Sequence, residues 1–129
     1  MAIAEGLTIP FDNDTKIQPN ILETFSYSGE KQLIIYETKE FSAVCPFSGL
    51  PDYGQLIIEY IPKKTIVELK SLKYYIVSFR NIGIYQEPAT NRIFQDLYQR
   101  LAPIYLSIKT IYNTRGGIDT TCFIEKGKK

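Results

Sequence analysis

The stretch Val67-Glu68-Leu69-Lys70-Ser71-Leu72-Lys73-Tyr74-Tyr75 has the most unusual local composition in the sequence. Read as a helix, it places apolar side chains on one stripe at three- and four-residue steps: Leu69, Leu72, Ile76 and Phe79. A second stripe carries Lys70, Lys73 and Tyr74. The carboxylate of Glu68 stands at the helix start, where the dipole favours negative charge. Two interpretations stay open: a helix that presents a lysine pair to phosphate, or an ordinary amphipathic helix with solvated lysines.

Length and composition favour one globular domain. The 129 residues are 44% hydrophobic, which suffices for a real core. With 15 basic and 14 acidic residues the net charge is +1, so bulk charge predicts no direct binding to nucleic acid or membrane. No apolar run approaches the roughly 20 residues of a membrane span, and no signal peptide is visible. We therefore expect a soluble cytoplasmic protein.

The chain contains two cysteines, Cys45 and Cys122, and no histidine. Two cysteines are too few for a disulfide scaffold. The absence of histidine removes the commonest general base and the commonest metal ligand, so no metal site is expected. Any catalysis must rest on carboxylates, cysteine, lysine or tyrosine.

Hydrophobic periodicity predicts the element order β-β, loop, β, α-α, β-β. Strands are expected over 21–27, 32–38, 55–61, 104–112 and 118–124, and helices over 68–80 and from Pro88 to about 101. Proline suits a first helical position, which makes Glu87 the expected N-cap or its neighbour. Two prolines and two glycines predict an irregular loop over 41–54.

This order is typical of an α+β fold with a mainly antiparallel sheet and the helix pair on one face. The other sheet face then needs solvent or a partner. Residues 1–19 show no sustained periodicity and are expected to be a flexible or surface-draped arm. Residues 20–125 form the expected domain, and 126–129 belong to a polar tail that is expected to fray.

Cys45 is the first candidate for chemistry, because it precedes a proline in a loop while Cys122 alternates within a strand. A loop thiolate is activated when nearby donors stabilise it, although a buried structural thiol is the alternative. Asp52 follows seven residues later, and the compact segment between them can turn the chain back. The carboxyl group would then exchange a proton with a bound substrate, or it is simply a turn aspartate bonded to its own backbone.

Two further sites suit charged ligands. Glu87, near a helix start, is expected to be ionised and to accept two parallel N–H bonds from a guanine-like ring, unless it only caps the helix. Arg115-Gly116-Gly117 offers a guanidinium beside exposed amides, which suits an anion, or forms a hairpin turn with a surface arginine.

Together these segments resemble the single-domain NADPH-dependent 7-cyano-7-deazaguanine reductases, the nitrile reductases of queuosine biosynthesis. Cys45-Pro46-Phe47-Ser48-Gly49-Leu50-Pro51-Asp52 is similar to the nucleophile loop of that family. Residues 68–75 resemble its signature, E-(S/L)-K-(S/A)-x-K-(L/Y)-(Y/F/W). Ser78-Phe79-Arg80-Asn81 and Arg115-Gly116-Gly117 match in order and spacing, so the resemblance runs from about residue 20 to about residue 125.

The resemblance implies the tunnelling fold, in which subunits join sheet to sheet into barrel rings, two rings stack, and ligands bind between subunits. It implies that Cys45 attacks the nitrile carbon to form a thioimidate, that Asp52 supplies the proton to the nitrogen, and that NADPH gives two hydrides. By the same resemblance, the substrate contacts are Val67, Glu68, Leu69, Gln86 and Glu87. The cofactor contacts are Lys70, Lys73, Arg115 and Gly116.

One position departs from the family pattern. Many members carry histidine directly before the substrate-binding glutamate, and this chain carries Gln86. Glutamine can donate and accept hydrogen bonds, but it cannot change charge near neutral pH. Gln86 can therefore orient the substrate and cannot shuttle protons.

Two alternatives remain. A related amidine-forming transferase captures the same nitrile in tRNA on cysteine and adds ammonia without NADPH, but the lysine-rich signature argues against it. A non-catalytic ring-forming module that binds a purine-like ligand is the alternative of a different class. The spacing of Cys45 and Asp52 argues against such a module.

Overall fold

The computed structural model describes residues 6–129. Two 3-10 turns, Asp14–Lys16 and Pro19–Ile21, precede the regular elements. In chain order these are β1 (Thr24–Ser26), β2 (Ile34–Val44), β3 (Pro51–Ile61), β4 (Thr65–Val67), α1 (Leu69–Val77), α2 (Gln86–Leu101), β5 (Tyr105–Arg115) and β6 (Ile118–Gly127).

The main sheet is antiparallel, with the strand order β2-β3-β5-β6, and β1 pairs with β4 in a second small sheet. Alternate residues of β3 and β5 are buried against α1 and α2, among them Leu56, Ile58, Leu106 and Ile108. On the opposite face Ile35 and Phe123 are exposed by about half. The expected α+β architecture with the helix pair on one face is therefore confirmed, and one sheet face is left open.

The predicted irregular loop over 41–54 is wrong in extent. β2 runs on to Val44 and β3 begins at Pro51, so only residues 45–50 form the connection. Proline is tolerated as the first residue of a strand, where its missing N–H costs no ladder bond. Gly54 belongs to the strand interior, where it faces Tyr112 and an added Cβ would approach Ile111 O within 2.9 Å.

Both helices differ from their predicted bounds at the ends. α1 begins at Leu69, after Glu68, as expected, but it ends at Val77. Residues 78–80 continue as a tighter turn, in which each amide bonds the carbonyl three residues earlier. Leu69 was predicted on the buried stripe and is 47% exposed, while Tyr75 is fully buried. α2 begins at Gln86 with Tyr85 as N-cap. Pro88 fits as its third residue because the first four helical amides have no partner inside the helix.

Several strand bounds also differ. β1 is only three residues long, and its partner β4 was not predicted. β2 lengthens past an irregularity between Thr38 and Phe41. The tail was expected to fray, but it remains paired with β5 as far as Gly127. Glu125 accepts a hydrogen bond from Tyr105 Oη (2.8 Å), and Lys126 lies over the ring of Tyr98.

The described part of the N-terminal arm lies on the surface of the domain. Ile17 is buried, and the Asp14 carbonyl accepts a hydrogen bond from Arg92 (3.3 Å). Asp12 forms a parallel bridge with Ile82. Residues 1–5 of the predicted arm lie outside the described residues. Across residues 6–129, no helix is long and apolar enough to cross a membrane.

Candidate active site

Cys45 stands at the first position of the turn between β2 and β3. Val44 and Pro51 form the last pair of the hairpin, and the Cys45 amide then donates to Leu50 O (2.8 Å). The Gly49 amide donates back to Cys45 O (2.9 Å), and Gly49 has a φ of 74°. A left-handed backbone conformation of this kind favours glycine. Gly49 after Ser48 therefore lets the six residues 45–50 form a tight turn that begins at Cys45.

Groups of the turn also favour the thiolate form of Cys45. The backbone amide of Ser48, then the amide of Phe47 and the hydroxyl of Ser48, lower the pKa of the Cys45 thiol. Partial burial opposes this effect, and the positive charge of Arg115 adds a smaller contribution in the same direction. Donors that stabilise a thiolate make a reactive cysteine, whereas a buried structural thiol has its pKa raised.

Asp52 lies at the same end of the hairpin as Cys45. It pairs with Ala43 across the strands and points to the helix-covered side, where it is only 8% exposed. Its Oδ1 forms an ion pair with the guanidinium of Arg115. The predicted approach of Asp52 to the Cys45 end is therefore present, and a cation that the sequence did not assign to Asp52 lies beside it.

Arg115 and Gly116 belong to the β5–β6 hairpin. Gly116 and Gly117 form the two-residue turn with φ values of 59° and 77°, as expected for a type I′ turn. The hairpin alternative for this segment is thus correct, and it aims Arg115 back at Asp52.

The segment before α2 brings Gln86 and Glu87 toward the end of β2 that precedes Cys45. The Val44 amide donates to Ile82 O (2.9 Å), and the Ile84 amide donates to Val44 O (3.1 Å). These bonds fix the N-terminal turn of α2 beside the end of β2. Gln86 is half-buried and Glu87 is exposed there, so its carboxylate is accessible to a ligand.

Val67, Glu68 and Leu69 lie at the other end of the protomer. The Val67 amide donates to Tyr60 Oη (3.1 Å), and Tyr60 is eight residues along β3 from Asp52, about 26 Å at strand rise. The carboxylate of Glu68 caps α1 by accepting from the amides of Lys70 (2.7 Å) and Ser71 (2.9 Å). One protomer therefore holds its predicted substrate residues in two separate groups.

The two lysines of α1 differ in their surroundings. Lys73 lines a groove of about 570 Å³ between α1 and β2, together with apolar residues such as Leu72 and Ile76. Lys70 lies outside that groove on an exposed face of the helix. Both ammonium groups are exposed, and cations of this kind suit phosphate.

Sequence reasoning missed two features. Tyr112 has a buried hydroxyl with no hydrogen-bond partner within residues 6–129, and burial chiefly raises the pKa of its phenol. Its place in an alternating strand is typical of a core residue, so the sequence gives no sign that its hydroxyl lacks a partner. An open hollow of about 870 Å³ beside the C-terminal end of α1 is lined in part by Lys16, Tyr53, Tyr74 and Arg80, which come from three distant segments.

We expect alkylation of Cys45 by iodoacetamide to reach half its maximal rate at a lower pH in the folded protein than in the unfolded chain. The thiolate is the reacting form, and the donors that lower the thiol pKa exist only in the folded turn. The measurement is peptide mass spectrometry of the Cys45 peptide against pH, with and without guanidinium. A folded midpoint at or above the unfolded one would contradict the lowered thiol pKa.

Comparison with known proteins identifies the family of the chain. Residues 51–129 match the family model described as QueF-like protein. The chain is 55% identical over 122 residues to the NADPH-dependent 7-cyano-7-deazaguanine reductase of Thermotoga petrophila, covering 94% of this chain and 89% of that protein. It is 52% identical over 107 residues to the protein of the same name from Thermoanaerobacter pseudethanolicus, covering 81% and 80%.

A solved structure supports the fold. The archaeosine synthase QueF-Like in its apo form superimposes with a TM-score of 0.71, covering 78% of this chain and 99% of that one. At 21% identity this likeness concerns the fold alone, and it agrees with the expected tunnelling fold. Through its sequence matches, the chain belongs to the QueF-like family, whose members cited above are named NADPH-dependent 7-cyano-7-deazaguanine reductases.

Proposed function

We propose that this single-domain protein reduces the nitrile of 7-cyano-7-deazaguanine to 7-aminomethyl-7-deazaguanine with NADPH, in queuosine biosynthesis. The observation that carries the proposal is a turn cysteine, Cys45, whose thiol pKa is lowered by groups of its own turn, with the Asp52 carboxylate at the same end of the hairpin. The 55% identity to a protein of that name supports the choice of substrate and cofactor. A cytoplasmic location remains a prediction from the sequence.

In the proposed chemistry the thiolate of Cys45 attacks the nitrile carbon. A carbon–sulfur bond forms as one carbon–nitrogen π bond opens, and Asp52 passes the proton lost by the thiol to the nitrogen, giving a thioimidate. The carboxylate of Asp52, which is paired with the guanidinium of Arg115, is the proposed group that takes up that proton. Gln86 has no role in proton transfer and orients the substrate by hydrogen bonds.

The chain offers donors that fit NADPH, which supplies the hydrides when it is bound. Lys70 and Lys73 are exposed ammonium groups one turn apart, and they are our proposed contacts for its phosphates. Arg115 and the Gly116 amide are proposed to add to this set. Because Arg115 already pairs with Asp52, a phosphate would compete with the carboxylate for the guanidinium.

We further propose that the substrate pocket lies between two subunits. Glu87 of one protomer would hold the N–H edge of the deazaguanine beside Cys45. Val67, Glu68 and Leu69 lie beside Tyr60, at the end of β3 that is far from Cys45. They cannot reach that place in the same chain, so a neighbouring protomer would contribute them. The open sheet face and the two sheet edges, β2 and β6, are surfaces on which such neighbours can join.

Purified protein with 7-cyano-7-deazaguanine is expected to oxidise two NADPH for each nitrile consumed, because the reduction of a nitrile to an amine takes four electrons. Absorbance of NADPH and chromatography of the product give the ratio. Without NADPH, mass spectrometry should show the nitrile adduct on Cys45. The matched variants are Cys45→Ala, which should lose the adduct, and Cys122→Ala, which should keep it.

The result also separates the competing functions. Adduct formation without any nitrile-dependent NADPH oxidation, together with amidine formation from ammonia, would indicate the transferase instead. Ligand binding without adduct would indicate a purine-binding module. An adduct that persists in Cys45→Ala would show that Cys45 is not the nucleophile.

The double variant Lys70→Ala with Lys73→Ala should raise the KM for NADPH at least tenfold and leave the nitrile adduct at its wild-type level. Loss of two charge-assisted contacts to phosphate weakens binding of the cofactor without touching the thiol. Steady-state kinetics and adduct mass give the two readouts. Lys63→Ala with Lys64→Ala, in the turn after β3, serves as the charge-matched control. Loss of the adduct would reassign the lysines of α1 to the substrate or the fold.

The shared pocket predicts that the active species is an oligomer. Light scattering of the active protein should give a molar mass that is a multiple of the 14.8 kDa chain. Full activity in a particle of one chain mass would contradict the proposal of an intersubunit pocket.

A further inference from the structure

The open hollow of about 870 Å³ at the edge of β2 has no part in the proposed chemistry of the nitrile. It is lined by the N-terminal arm, by the end of the β2–β3 hairpin, and by the C-terminal end of α1 with the turn that follows. Sites for small ligands commonly have volumes of about 300–1,000 Å³. The hollow therefore has room for one half of a dinucleotide, and its lining indicates which half.

Two cations line the hollow and are held by fixed backbone. Lys16 ends a 3-10 turn of the arm, and the next residue, Ile17, is buried. Arg80 follows the fully buried ring of Phe79 in the turn after α1. Neither cation forms an ion pair within the part of the chain that the structure describes. Both charges are therefore available to an anion.

The one carboxylate in the lining, Asp12, is bonded to the turn after α1. Its Oδ2 accepts from Asn81 Nδ2 (3.4 Å), and its amide donates to Asn81 O (2.8 Å). The Gly83 amide donates to Asp12 O (2.7 Å). These bonds hold the arm against the protein beside Lys16. With Lys16 and Arg80 opposing one carboxylate, the hollow has a net positive charge.

Two tyrosine rings border the same hollow. Tyr53 and Tyr74 each expose more than half of their surface, although aromatic rings are usually well buried. An exposed ring is a stacking platform for a nucleobase. Aromatic rings beside cations fit a phosphorylated nucleoside better than a simple inorganic anion.

The hollow lies on the side of the hairpin that faces away from Asp52. Successive residues of a strand point to opposite faces, so Tyr53 points away from the side that carries the Asp52 carboxylate. The proposed nitrile chemistry takes place on the Asp52 side. The hollow therefore suits the half of the cofactor that does not react.

The hollow also adjoins the proposed contact for the cofactor phosphates. Val77 lines both the hollow and the groove that contains Lys73. Tyr74 follows Lys73 directly in α1 and borders the hollow. A dinucleotide with a phosphate at Lys73 can therefore place one end in the hollow.

We propose, resting on the proposed function, that the hollow binds the 2′-phosphoadenosine half of NADPH. Lys16 and Arg80 bind the 2′-phosphate, and the adenine stacks on Tyr74. The 2′-phosphate is the group that NADPH has and NADH lacks, so these two cations determine the choice of cofactor. The N-terminal arm, which supplies Lys16, is thus part of the cofactor site.

The first test uses adenosine 2′,5′-bisphosphate, which carries this half of the cofactor without the hydride donor. Isothermal titration calorimetry should show it binding the wild-type protein about tenfold more tightly than adenosine 5′-monophosphate, because the 2′-phosphate gains charge-assisted contacts. In the double variant Lys16→Ala with Arg80→Ala the two ligands should bind equally. Lys31→Ala removes an exposed lysine before β2 and should keep the preference. A wild-type protein that binds both ligands equally, or neither, overturns the assignment.

The second test compares the KM values for NADPH and NADH. Arg80→Ala should raise the KM for NADPH about tenfold and leave the KM for NADH unchanged. Tyr74→Ala should raise both KM values about tenfold, since both cofactors carry adenine, and Tyr74→Phe should restore both because it keeps the ring. An unchanged ratio of the two KM values in Arg80→Ala and in Lys16→Ala overturns the role of these cations. Unchanged KM values in Tyr74→Ala overturn the stacking.

The calorimetry needs neither nitrile nor hydride transfer, so the two proposals can fail separately. A wild-type protein that prefers the bisphosphate but never oxidises NADPH with the nitrile would overturn the proposed reaction and leave the 2′-phosphate site standing. An active protein whose variants keep the wild-type preference for NADPH would overturn the assignment of the hollow alone.

Discussion

The pairing of Val44 with Pro51 at the end of the β2–β3 hairpin is the constraint on which the site depends. Pro51 has no N–H to donate, so the ladder of hydrogen bonds between β2 and β3 ends there. The six residues 45–50 are left to close the turn. That closure bonds the Cys45 amide to Leu50 O and places Asp52 opposite Ala43. The same strand end receives the segment before α2 through two bonds to Val44. The positions of Cys45, Asp52 and the start of α2 are thus set by one register.

Much of the fold was predictable because its determinants are local. The apolar stripe of α1, the dipole-favoured Glu68 and the alternation in β3 and β5 each depend on residues a few positions apart. The exact extent of β2 and β3 was not predictable, because proline and glycine indicate a loop until the partner strand is known. β4 was missed for a similar reason, since three residues gain strand structure only through pairing with β1.

The site shows the same division between local and distant determinants. The spacing of Cys45 and Asp52 indicated a turn that brings them to one end, and the structure has it. The ion pair of Asp52 with Arg115 joins residues 63 positions apart, and no local pattern reveals it. Glu68 uses both carboxylate oxygens to cap α1, so a contact with substrate would exchange one of those bonds or use the backbone.

The separation of Val67 from Asp52 along β3 has a consequence for how such a sequence evolves. Asp52 and Tyr60, whose hydroxyl accepts from the Val67 amide, lie about 26 Å apart along β3, and in the proposed shared pocket the two ends meet through another copy of the chain. The proposed shared pocket predicts that a change at one end of the strand is compensated at the other end, across the boundary between subunits. Substitutions at these two ends would then covary across relatives. Such covariation would indicate a contact that forms between protomers and not within one.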